Sequence, residues 1–439
     1  MSQPNPQHIV VVGAGAAGLM AARELAIAGR RVTLLEARER CGGRIYPLPA
    51  GEFGYAAEGG AEFVHGEAPV THRLLREAGL EVSPIQGTPR TMANGKFLRR
   101  DVQDPHQAEL QNALQDLTSD LTVAEFLRRR FGGPEYGGLR HSIKRMTEGY
   151  DAADPERAST LALRDEWMVG GHHTQGRITG GYGALVEFLT AECRHHAVAI
   201  RLGAAVFAVE ERDGRALVRC GNGDAHDADA VILTVALPLL NRIMLPAAER
   251  ARAAAAAEIG FGNVIKILLR FTKPWWHDRT EDLTFLLSDE TIPVWWTQHP
   301  ADLPVLTGWF AGPRTEALAD LGEDELLELG LGSLAEAFGL DRTQLRAKLV
   351  AARAINWAHD PHAGGAYSYA TPGTQTAQAV LSRFDGGIIF FSGEALYRGR
   401  DMGTVEAALA SGLETARILL GKNVVAEHSP ANPPSRISR

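Results

Sequence analysis

The sequence predicts an α/β protein in which a doubly wound parallel sheet that binds a dinucleotide is interleaved with a second, α+β domain. Three observations lead to this fold class: a Gly-rich turn between an apolar strand and an alanine-rich helix, later apolar runs typical of returning strands, and a helix-leaning stretch between them. Strands that alternate with helices are typical of parallel sheets covered on both faces. A chain of 439 residues has room for two or three domains.

The first element is an apolar, β-branched strand, 9–12, that enters a turn with the pattern G-x-G-x-x-G. Gly13 makes the tight turn, Gly15 admits a pyrophosphate close to the backbone, and Gly18 lets the helix pack on the strand. The helix N-terminus offers free N–H groups to phosphates. A second strand ends at Glu36, whose carboxylate is placed to bind ribose hydroxyls, as in a Rossmann-type site. The residues expected to bind the cofactor here are Gly13, Ala14, Gly15, Ala17, Gly18 and Glu36.

A second Gly-rich turn follows the ribose acid. Its backbone N–H groups and its guanidinium would form a second anion cradle facing the first; the alternative is an ordinary basic surface loop. Beside the first motif, which occurs once, the pattern favours FAD. This stretch resembles the flavin-containing amine oxidase family (the monoamine and polyamine oxidases), in which a GGR turn contacts the flavin nucleotide. The cofactor-binding residues predicted here are Ala37, Arg38, Gly42, Gly43 and Arg44.

Composition limits the class of protein. The chain carries 53 acidic and 45 basic side chains, and its net charge of −8 disfavours nucleic acid as a partner and suits cationic ligands. Three cysteines, Cys41, Cys193 and Cys220, predict a reducing, cytoplasmic environment without disulfides. We expect no signal peptide before the first strand and no membrane association, because no apolar run is long enough to span a bilayer. The oligomeric state stays open.

The predicted FAD-binding Rossmann-type domain is discontinuous, and the α+β substrate domain is inserted into it. The FAD-binding domain comprises 6–82, 196–262 and 355–422, the substrate domain 83–195 and 263–354, and a disordered tail 423–439. The division agrees with what the family resemblance implies.

Within these segments, 199–220 alternates like paired strands around an Asp-Gly turn. The apolar run 228–240 predicts a buried strand, and 388–393 predicts the last strand of the sheet. Helices are expected at about 323–339 and 403–420.

The loop AEGGAEFVHG, 57–66, resembles the family's passage along the flavin into the substrate cavity. Small residues there let the backbone lie against a flat ring system. The resemblance implies that Gly60, Ala61 and Glu62 bind the cofactor. In polyamine oxidases the position of His65 holds a His or an acid, so His65 is predicted to orient an amine or to take up a proton. Its alternative is a histidine that satisfies loop carbonyls.

The stretch GNVIKILLRFTKPWW, 262–276, alternates as a strand, with Ile265, Ile267, Leu269 and Phe271 on one face and Val264, Lys266, Leu268 and Arg270 on the other. The pattern alone makes Lys266 a solvated strand residue. In flavin amine oxidases, however, a lysine in such a strand holds a water against the flavin, and this resemblance favours a catalytic Lys266. Of the five tryptophans between 275 and 309, most are expected in the core and one or two in an aromatic cavity.

Two more motifs carry the resemblance. In 355–373, Trp357 resembles the tryptophan beside the flavin, and Tyr367 resembles the first tyrosine of the aromatic cage around the substrate nitrogen. Ala366 stands where monoamine oxidases have a flavin-linked cysteine, so FAD is predicted to be non-covalent. In 391–412, the implied cofactor-binding residues are Gly393, Glu394, Gly403, Thr404 and Val405.

Thr404 occupies the place of the second cage tyrosine, so the predicted cage is half built, as in polyamine oxidases and histone demethylases. The helix that begins there would present its N-terminus to negative charge on the flavin. Val206 is predicted to contact the adenine, with an ordinary strand residue as the alternative.

The resulting hypothesis is an FAD-dependent amine oxidase that converts the C–N bond of a small amine to an imine with O₂ as acceptor, giving H₂O₂ and, after hydrolysis, an aldehyde. Its predicted catalytic residues are Lys266, Tyr367, His65, Trp357 and Thr404. The alternatives are a C–C desaturase or oxidase of the same superfamily, an L-amino acid oxidase that uses Arg90 or Arg177, and a flavin-holding scaffold. No metal site is expected, because the histidine pairs lack ligand spacing.

Overall fold

The computed structural model describes residues 7–93, 95–98, 104–168, 175–384 and 386–421. The predicted disordered tail, 423–439, lies outside these residues. The described strands are β1 His8–Val12, β2 Arg31–Leu35, β3 Val64–His65, β4 Val82–Pro84, β5 Thr88–Ala93, β6 Lys96–Leu98, β7 Gln175–Ile178, β8 Ala199–Arg201, β9 Val206–Arg212, β10 Arg215–Cys220, β11 Ala225–Ala228, β12 Ala230–Leu233, β13 Gly260–Gly262, β14 Val264–Phe271, β15 Leu283–Ser288, β16 Val294–Trp296, β17 Val305–Ala311, β18 Leu349–Asn356, β19 Tyr367–Tyr369 and β20 Ile389–Phe391.

Some helices pack on the parallel sheet. Others, from the middle of the chain, form a separate cluster. The described helices are α1 Ala16–Ile27, α2 Ala50–Phe53, α3 Pro69–Ala78, α4 Gln107–Gln115, α5 Val123–Arg130, α6 Gly137–Gly149, α7 Thr160–Met168, α8 Gly181–His195, α9 Leu237–Leu240, α10 Ala247–Ala253, α11 Glu323–Phe338, α12 Arg342–Arg346, α13 Thr374–Leu381 and α14 Val405–Leu419. No helix in these ranges combines the length and the apolar character that a membrane span requires.

The first sheet has five parallel strands in the order β20-β12-β1-β2-β8. Strand β1 pairs with β2 on one side and with β12 on the other, and its residues 9–12 are buried. Parallel strands covered on both faces need continuous apolar runs, which is what 9–12 and 230–233 supply. The doubly wound, Rossmann-type fold class is thereby confirmed, as are the first strand, helix and second strand and the return of the chain to this sheet.

The predicted strand 228–240 was too long. Strand β12 ends at Leu233, and the next residue, Thr234, turns the chain by donating its hydroxyl to the carbonyls of Val12 at 2.9 Å and Gly13 at 3.0 Å. Pro238 then lies in the first turn of α9, where a missing N–H costs nothing. The apolar run therefore continues from a strand into a buried helix, and hydrophobicity alone does not separate the two.

Helices α1 and α14 cross in direct backbone contact. A Cβ added to Gly412 on α14 would overlap the carbonyl oxygen of Ala17 on α1, and one added to Gly18 would overlap the carbonyl oxygen of Gly13. Helix α8 packs on the same apolar core as α1, with Leu189 fully buried. The domain boundaries stay a prediction, and this packing argues for counting α8 with the parallel sheet rather than with 83–195.

The second sheet has seven strands in the order β18-β14-β17-β16-β15-β5-β6. All its pairs are antiparallel except β15 with β5. Helix α11 covers one face, where the predicted apolar side of β14 joins a core that includes Trp275, Trp276 and Trp295. The predicted alternation of β14 is confirmed, because Lys266 lies on the opposite face, toward the first sheet.

The segment 83–195 is less helical than expected. Helices α4 to α7 share a small apolar core, but four short strands, β4 to β7, lie in the same segment. Strands of three to six residues leave too few alternations to be recognised. The predicted hairpin of β9 and β10 is confirmed, with Asp213 and Gly214 at φ of 52° and 73°, the positive values that a tight two-residue turn requires.

We predict that Gly412→Ala destabilises the protein by about 1–3 kcal/mol, because the new methyl group forces α1 and α14 apart. Chemical denaturation followed by circular dichroism measures the change. Gly137→Ala is the matched control, since it also lies in a helix but its Cβ meets no atom within 4 Å. Equal stability of the two variants would contradict the close approach.

Candidate active site

A cavity of about 1170 Å³ lies where the carboxyl ends of the parallel strands face the seven-stranded sheet. Small-molecule pockets typically measure roughly 300–1,000 Å³, so this one has room for a dinucleotide and a second molecule. Of the residues predicted from the sequence, all but Ala14 and Gly18 line it. Those two are not among its lining residues, and their contact with a cofactor stays a prediction.

At one end of the cavity the carboxylate of Glu36 is held by the backbone. Its two oxygens accept the N–H of Ala14 at 2.8 Å and the N–H of Arg38 at 2.9 Å, and its side chain is buried. Each carboxylate oxygen has a further lone pair. Glu36 can therefore bind the ribose hydroxyls, as the sequence predicts.

The glycines of the nucleotide motif divide into two kinds. Gly13, at φ of 102°, and Gly18 have no space for a side chain, since an added Cβ would meet the hydroxyl of Thr234 at 2.8 Å in each case. Gly15 and Gly393 line the cavity, and an added Cβ would meet no atom within 4 Å. A ligand can therefore lie directly on the backbone at these two positions, which fits a pyrophosphate beside the N-terminus of α1.

The second Gly-rich turn is held by a residue that the sequence reasoning missed. Arg40 donates to the carbonyls of Ile45 at 2.9 Å and Gly43 at 2.9 Å and so closes the turn from behind. Gly42 donates its N–H to Ala14 at 2.8 Å, which joins the two motifs. An arginine that binds only carbonyls of its own loop has no sequence signature.

Two arginines of this turn reach far along the chain. Arg38 pairs with Asp360 at 2.6 Å. Arg44 donates to Glu394 and to the carbonyl of Ala366, at 2.8 and 2.7 Å. Each guanidinium is thus fixed on the cavity wall by a carboxylate, and the partner acid on the nucleotide side, Asp360, was not predicted.

The loop 57–66 runs along the cavity wall. Gly60 has no room for a Cβ because the carbonyl oxygen of Arg44 occupies that space, and the N–H of Ala61 donates to the same oxygen at 3.3 Å. Trp357 is buried and donates its indole N–H to the carbonyl of Gly59 at 3.2 Å. The indole and this flat stretch of backbone form one continuous wall that fits a planar ring.

Lys266 is buried on β14, an inner strand of the second sheet, with 1 % of its surface exposed. The reading of Lys266 as a solvated strand residue is therefore wrong. Its Nζ lies 2.9 Å from the carboxylate of Glu62 and 3.1 Å from the carbonyl of Gly60. Both carboxylate oxygens of Glu62 accept from protein donors, and its predicted contact with the cofactor stays a prediction.

Tyr367 and Trp309 form an aromatic wall. Their rings stack at a centroid distance of 6.5 Å and an interplanar angle of 23°. The Tyr367 hydroxyl donates to the carbonyl of Tyr150 at 2.7 Å, and burial raises the pKa of Tyr367 well above its usual range, so the phenol stays neutral. The expectation that one or two tryptophans line the cavity is confirmed, because Trp296 and Trp309 do so.

His65 lies on the cavity wall at the end of β3. Its Nδ1 is 3.2 Å from the hydroxyl of Tyr150 and 3.2 Å from the amide nitrogen of Gln175. Nδ1 of His65 is thus within hydrogen-bond distance of two side chains. Its predicted role toward a substrate stays a prediction.

Thr404 is used by the backbone. Its hydroxyl accepts the N–H of Ala407 at 3.1 Å and donates to the carbonyl of Asp401 at 2.6 Å, which makes it the N-cap of α14. Gly403 precedes it at φ of 83°, against the ring of Tyr367. Thr404 also lines the cavity beside Val405, and its predicted catalytic role stays a prediction.

Acidic side chains line the other end of the cavity. Asp151 and Glu166 hydrogen bond to each other, and Asp401 lies near Glu166. Burial raises the pKa of both Asp151 and Glu166, because two neighbouring carboxylates cannot both ionise freely in a site of low polarity. None of the described residues that line the cavity is a cysteine. The arrangement fits a cationic ligand and a cofactor held without a covalent bond.

The chain belongs to the flavin containing amine oxidoreductase family, whose sequence profile matches residues 16–420. Its cofactor is FAD, and it is an oxidoreductase that acts on amine donors. The cradle described above fits FAD: Gly15, Gly393 and the N-terminus of α1 would hold the pyrophosphate, Glu36 the ribose, and Trp357 the ring system.

Relatives cover most of the chain. Lysine-specific histone demethylase 1 homolog 3 of Arabidopsis thaliana is 26% identical over 94% of this chain, which spans 30% of that protein. Polyamine oxidase 4 of Oryza sativa subsp. japonica is 26% identical over 96% of this chain and 91% of its own length. The structure of wild-type putrescine oxidase bound to putrescine matches with a TM-score of 0.76 at 20% identity, covering 95% of this chain and 99% of that one. This structural likeness supports the fold.

We predict that Gly15→Ala weakens FAD binding at least about tenfold, since the methyl group would stand in the space left for the pyrophosphate. Fluorescence titration of the apoprotein with FAD measures the affinity. The melting temperature of the apoprotein should stay unchanged, because the added Cβ meets no protein atom within 4 Å. Gly51→Ala, which also meets no atom but lies outside the cavity, is the control. Undiminished affinity in Gly15→Ala would place the phosphates elsewhere.

Proposed function

We propose that the protein oxidises a small cationic amine with O₂ as electron acceptor. A hydride equivalent leaves the α-carbon of the neutral amine, the C–N bond becomes C=N, and O₂ takes up two electrons and two protons as H₂O₂. Water then converts the imine to an aldehyde and a smaller amine. The observation that carries the proposal is the buried Lys266, which lines the same cavity as the Tyr367–Trp309 wall and is the cross-strand neighbour of Trp309. Bound FAD supplies the two-electron redox chemistry.

The aromatic wall supports recognition of the amine nitrogen. The faces of tyrosine and tryptophan rings attract ammonium groups, and they also pack against the apolar carbons beside them. The hydrogen bond from Tyr367 to the Tyr150 carbonyl fixes the ring, so the substrate meets a preformed surface. We propose that Tyr367 and Trp309 orient the nitrogen and that His65 contacts the rest of the substrate from the opposite wall.

We propose that Lys266 holds a water molecule. An ammonium has three N–H donors, and two of those on Lys266 are directed at Glu62 and Gly60. The third is left for the cavity that Lys266 lines. We propose that it orients the water that hydrolyses the imine and that its charge favours the reaction with O₂.

The charged lining disfavours the two enzymatic alternatives. A C–C desaturase binds an apolar substrate, which would have to cover Lys266 and the acids of the far wall at a desolvation cost. An L-amino acid oxidase needs a cation for the carboxylate, but Arg177 is paired with Glu62 at 2.9 Å and Arg90 lies 3.5 Å from Asp282. Neither arginine lines the cavity. We also propose a cytoplasmic location, in keeping with the unpaired cysteines.

A peroxide assay over primary, secondary and polyamines should identify substrates, and each should bleach the flavin band under anaerobic conditions. We predict that Lys266→Met lowers kcat/KM on the order of 100-fold, the range expected for loss of a group that assists proton transfers. Lys273→Met, an exposed lysine after the same strand, is the control. Failure of every amine to bleach the flavin would contradict the proposal, and bleaching by L-amino acids alone would favour the alternative.

Cation binding should strengthen as the pH rises. Because burial raises the pKa of Asp151 and Glu166, the pair is more protonated at pH 6 than at pH 9, and it gains negative charge over this interval. We predict that the Ki of a tetraalkylammonium competitor, whose own charge does not vary, falls about tenfold between these values, or roughly 1.4 kcal/mol. In the double variant Asp151→Asn/Glu166→Gln the Ki should be high and constant. A wild-type Ki that does not change with pH would remove the acidic pair from cation binding.

A further inference from the structure

Glu62 is the centre of a buried polar network on the cavity wall. One carboxylate oxygen, Oε2, accepts from the Nζ of Lys266 at 2.9 Å. The other, Oε1, accepts from three further side chains: Arg177 Nε at 2.9 Å, Trp296 Nε1 at 3.0 Å and Gln298 Nε2 at 3.0 Å. The side chain of Glu62 is 8 % exposed and that of Lys266 1 %. Four donors converge on one carboxylate, so these hydrogen bonds fix its position.

This carboxylate is ionised at any pH at which the enzyme works. Burial alone would raise the pKa of Glu62, but the Lys266 and Arg177 cations outweigh burial and lower it to about 2. The other titratable groups near the pair are Glu58 and Tyr55. Burial raises the pKa of Glu58 to about 7 and that of Tyr55 well above its usual range. Glu62 is therefore the anion that balances Lys266 over most of the working range.

Removal of the Glu62 charge would leave two cations, Lys266 and Arg177, buried close to one acceptor that no longer carries a charge. A buried ammonium beside a second cation loses its proton more readily. Its hydrogen bond to that acceptor would also be weaker without the charge, so its N–H groups would be less firmly directed. The contacts of Arg177, to Glu62 and to the carbonyl of Thr297 at 2.9 Å, hold the carboxylate from the side away from Lys266.

We propose that Glu62 is a positioning residue for Lys266: it keeps the lysine an ammonium and directs one N–H into the cavity, while Arg177 holds Glu62 in place. The inference rests on the proposed role of Lys266 in amine oxidation. It assigns to Glu62 a function through Lys266 and not through contact with substrate or cofactor, and it makes Lys266 a fixed donor and charge rather than a base.

The test compares the visible absorption spectrum of the oxidised holoenzyme from pH 6 to pH 10. In the wild type Glu62 pairs with Lys266 at 2.9 Å, so we expect no shift of the flavin band with pH beyond that of Glu62→Gln/Lys266→Met. In Glu62→Gln, which keeps the shape of the side chain, we expect the flavin band to shift with pH. In Glu62→Gln/Lys266→Met the shift should vanish. A Glu62→Gln spectrum as constant as that of the wild type would overturn the proposal.

A double-mutant cycle in kcat/KM supplies the second readout. We expect Glu62→Gln to lower kcat/KM at least tenfold, and Glu62→Gln/Lys266→Met to be no slower than Lys266→Met alone, since both changes remove the same function. Glu58→Gln is the matched control: it is a buried acid of the same loop that accepts from the backbone N–H of Gly183 at 3.0 Å. Its effect should be small and should add to that of Lys266→Met. Additive effects of Glu62→Gln would show an independent role and contradict the proposal.

The double variant Glu62→Gln/Arg177→Gln distinguishes a purely structural role of Glu62 from a role in positioning Lys266. This pair removes one anion and one cation, so the melting temperature should recover toward the wild type. If Glu62 positions Lys266, the pH-dependent flavin band should persist in this variant. Recovery of both properties would mean that Glu62 only neutralises Arg177. If Lys266→Met itself leaves turnover unchanged, the proposed function fails first, and the spectra still decide whether Glu62 controls the charge of Lys266.

Discussion

A lysine ammonium buried on an inner strand of a β-sheet has to be paired, and this constraint organises the molecule. Lys266 lies on β14 between β17 and β18, where no water reaches it from the sheet itself. The cost of burying such an ion is several kcal/mol unless good acceptors surround it. Both acceptors, Glu62 and the carbonyl of Gly60, come from the loop 57–66, which precedes Lys266 by about two hundred residues in sequence. The charge thus ties the second sheet to the loop that borders the flavin site.

The same loop is held from the nucleotide side. The carbonyl of Arg44 fills the space beside Gly60 and accepts from Ala61, and the guanidinium of Arg44 pairs with Glu394. Residues from the first strand pair, from the loop and from the last third of the chain therefore meet around one point. This convergence gives a physical reason for the interleaved chain. A site that lies between two sheets needs backbone from both, and each passage of the chain from one sheet to the other contributes one wall. The buried network next to it keeps those walls in register.

Local patterns in the sequence were sufficient for part of this picture. The turn with Gly13, Gly15 and Gly18 and the alternation around Lys266 depend on neighbouring residues only, so they were predicted correctly from the sequence. The partners of the charged groups were not. Glu62 meets Arg177 and Gln298 at separations of 115 and 236 residues, and no local period encodes such pairs. The N-cap of α14 was also missed, because a threonine before a helix fits both a cap and a site residue.

The aromatic wall shows how a half-built cage is completed by a different element. On the α14 side, Thr404 is committed to the helix cap, and a Cβ on Gly403 would meet the Ser368 carbonyl at 2.7 Å. A second ring at position 404 would remove this N-cap from the helix. The second ring comes from β17, where Trp309 stacks on Tyr367 and anchors its own indole N–H on the carbonyl of Gly149 at 2.8 Å. In the proposed function, recognition of the substrate nitrogen therefore depends on the second sheet and on α6 as well as on the nucleotide-binding half. Changes in those two elements can alter the choice of amine without disturbing the FAD cradle.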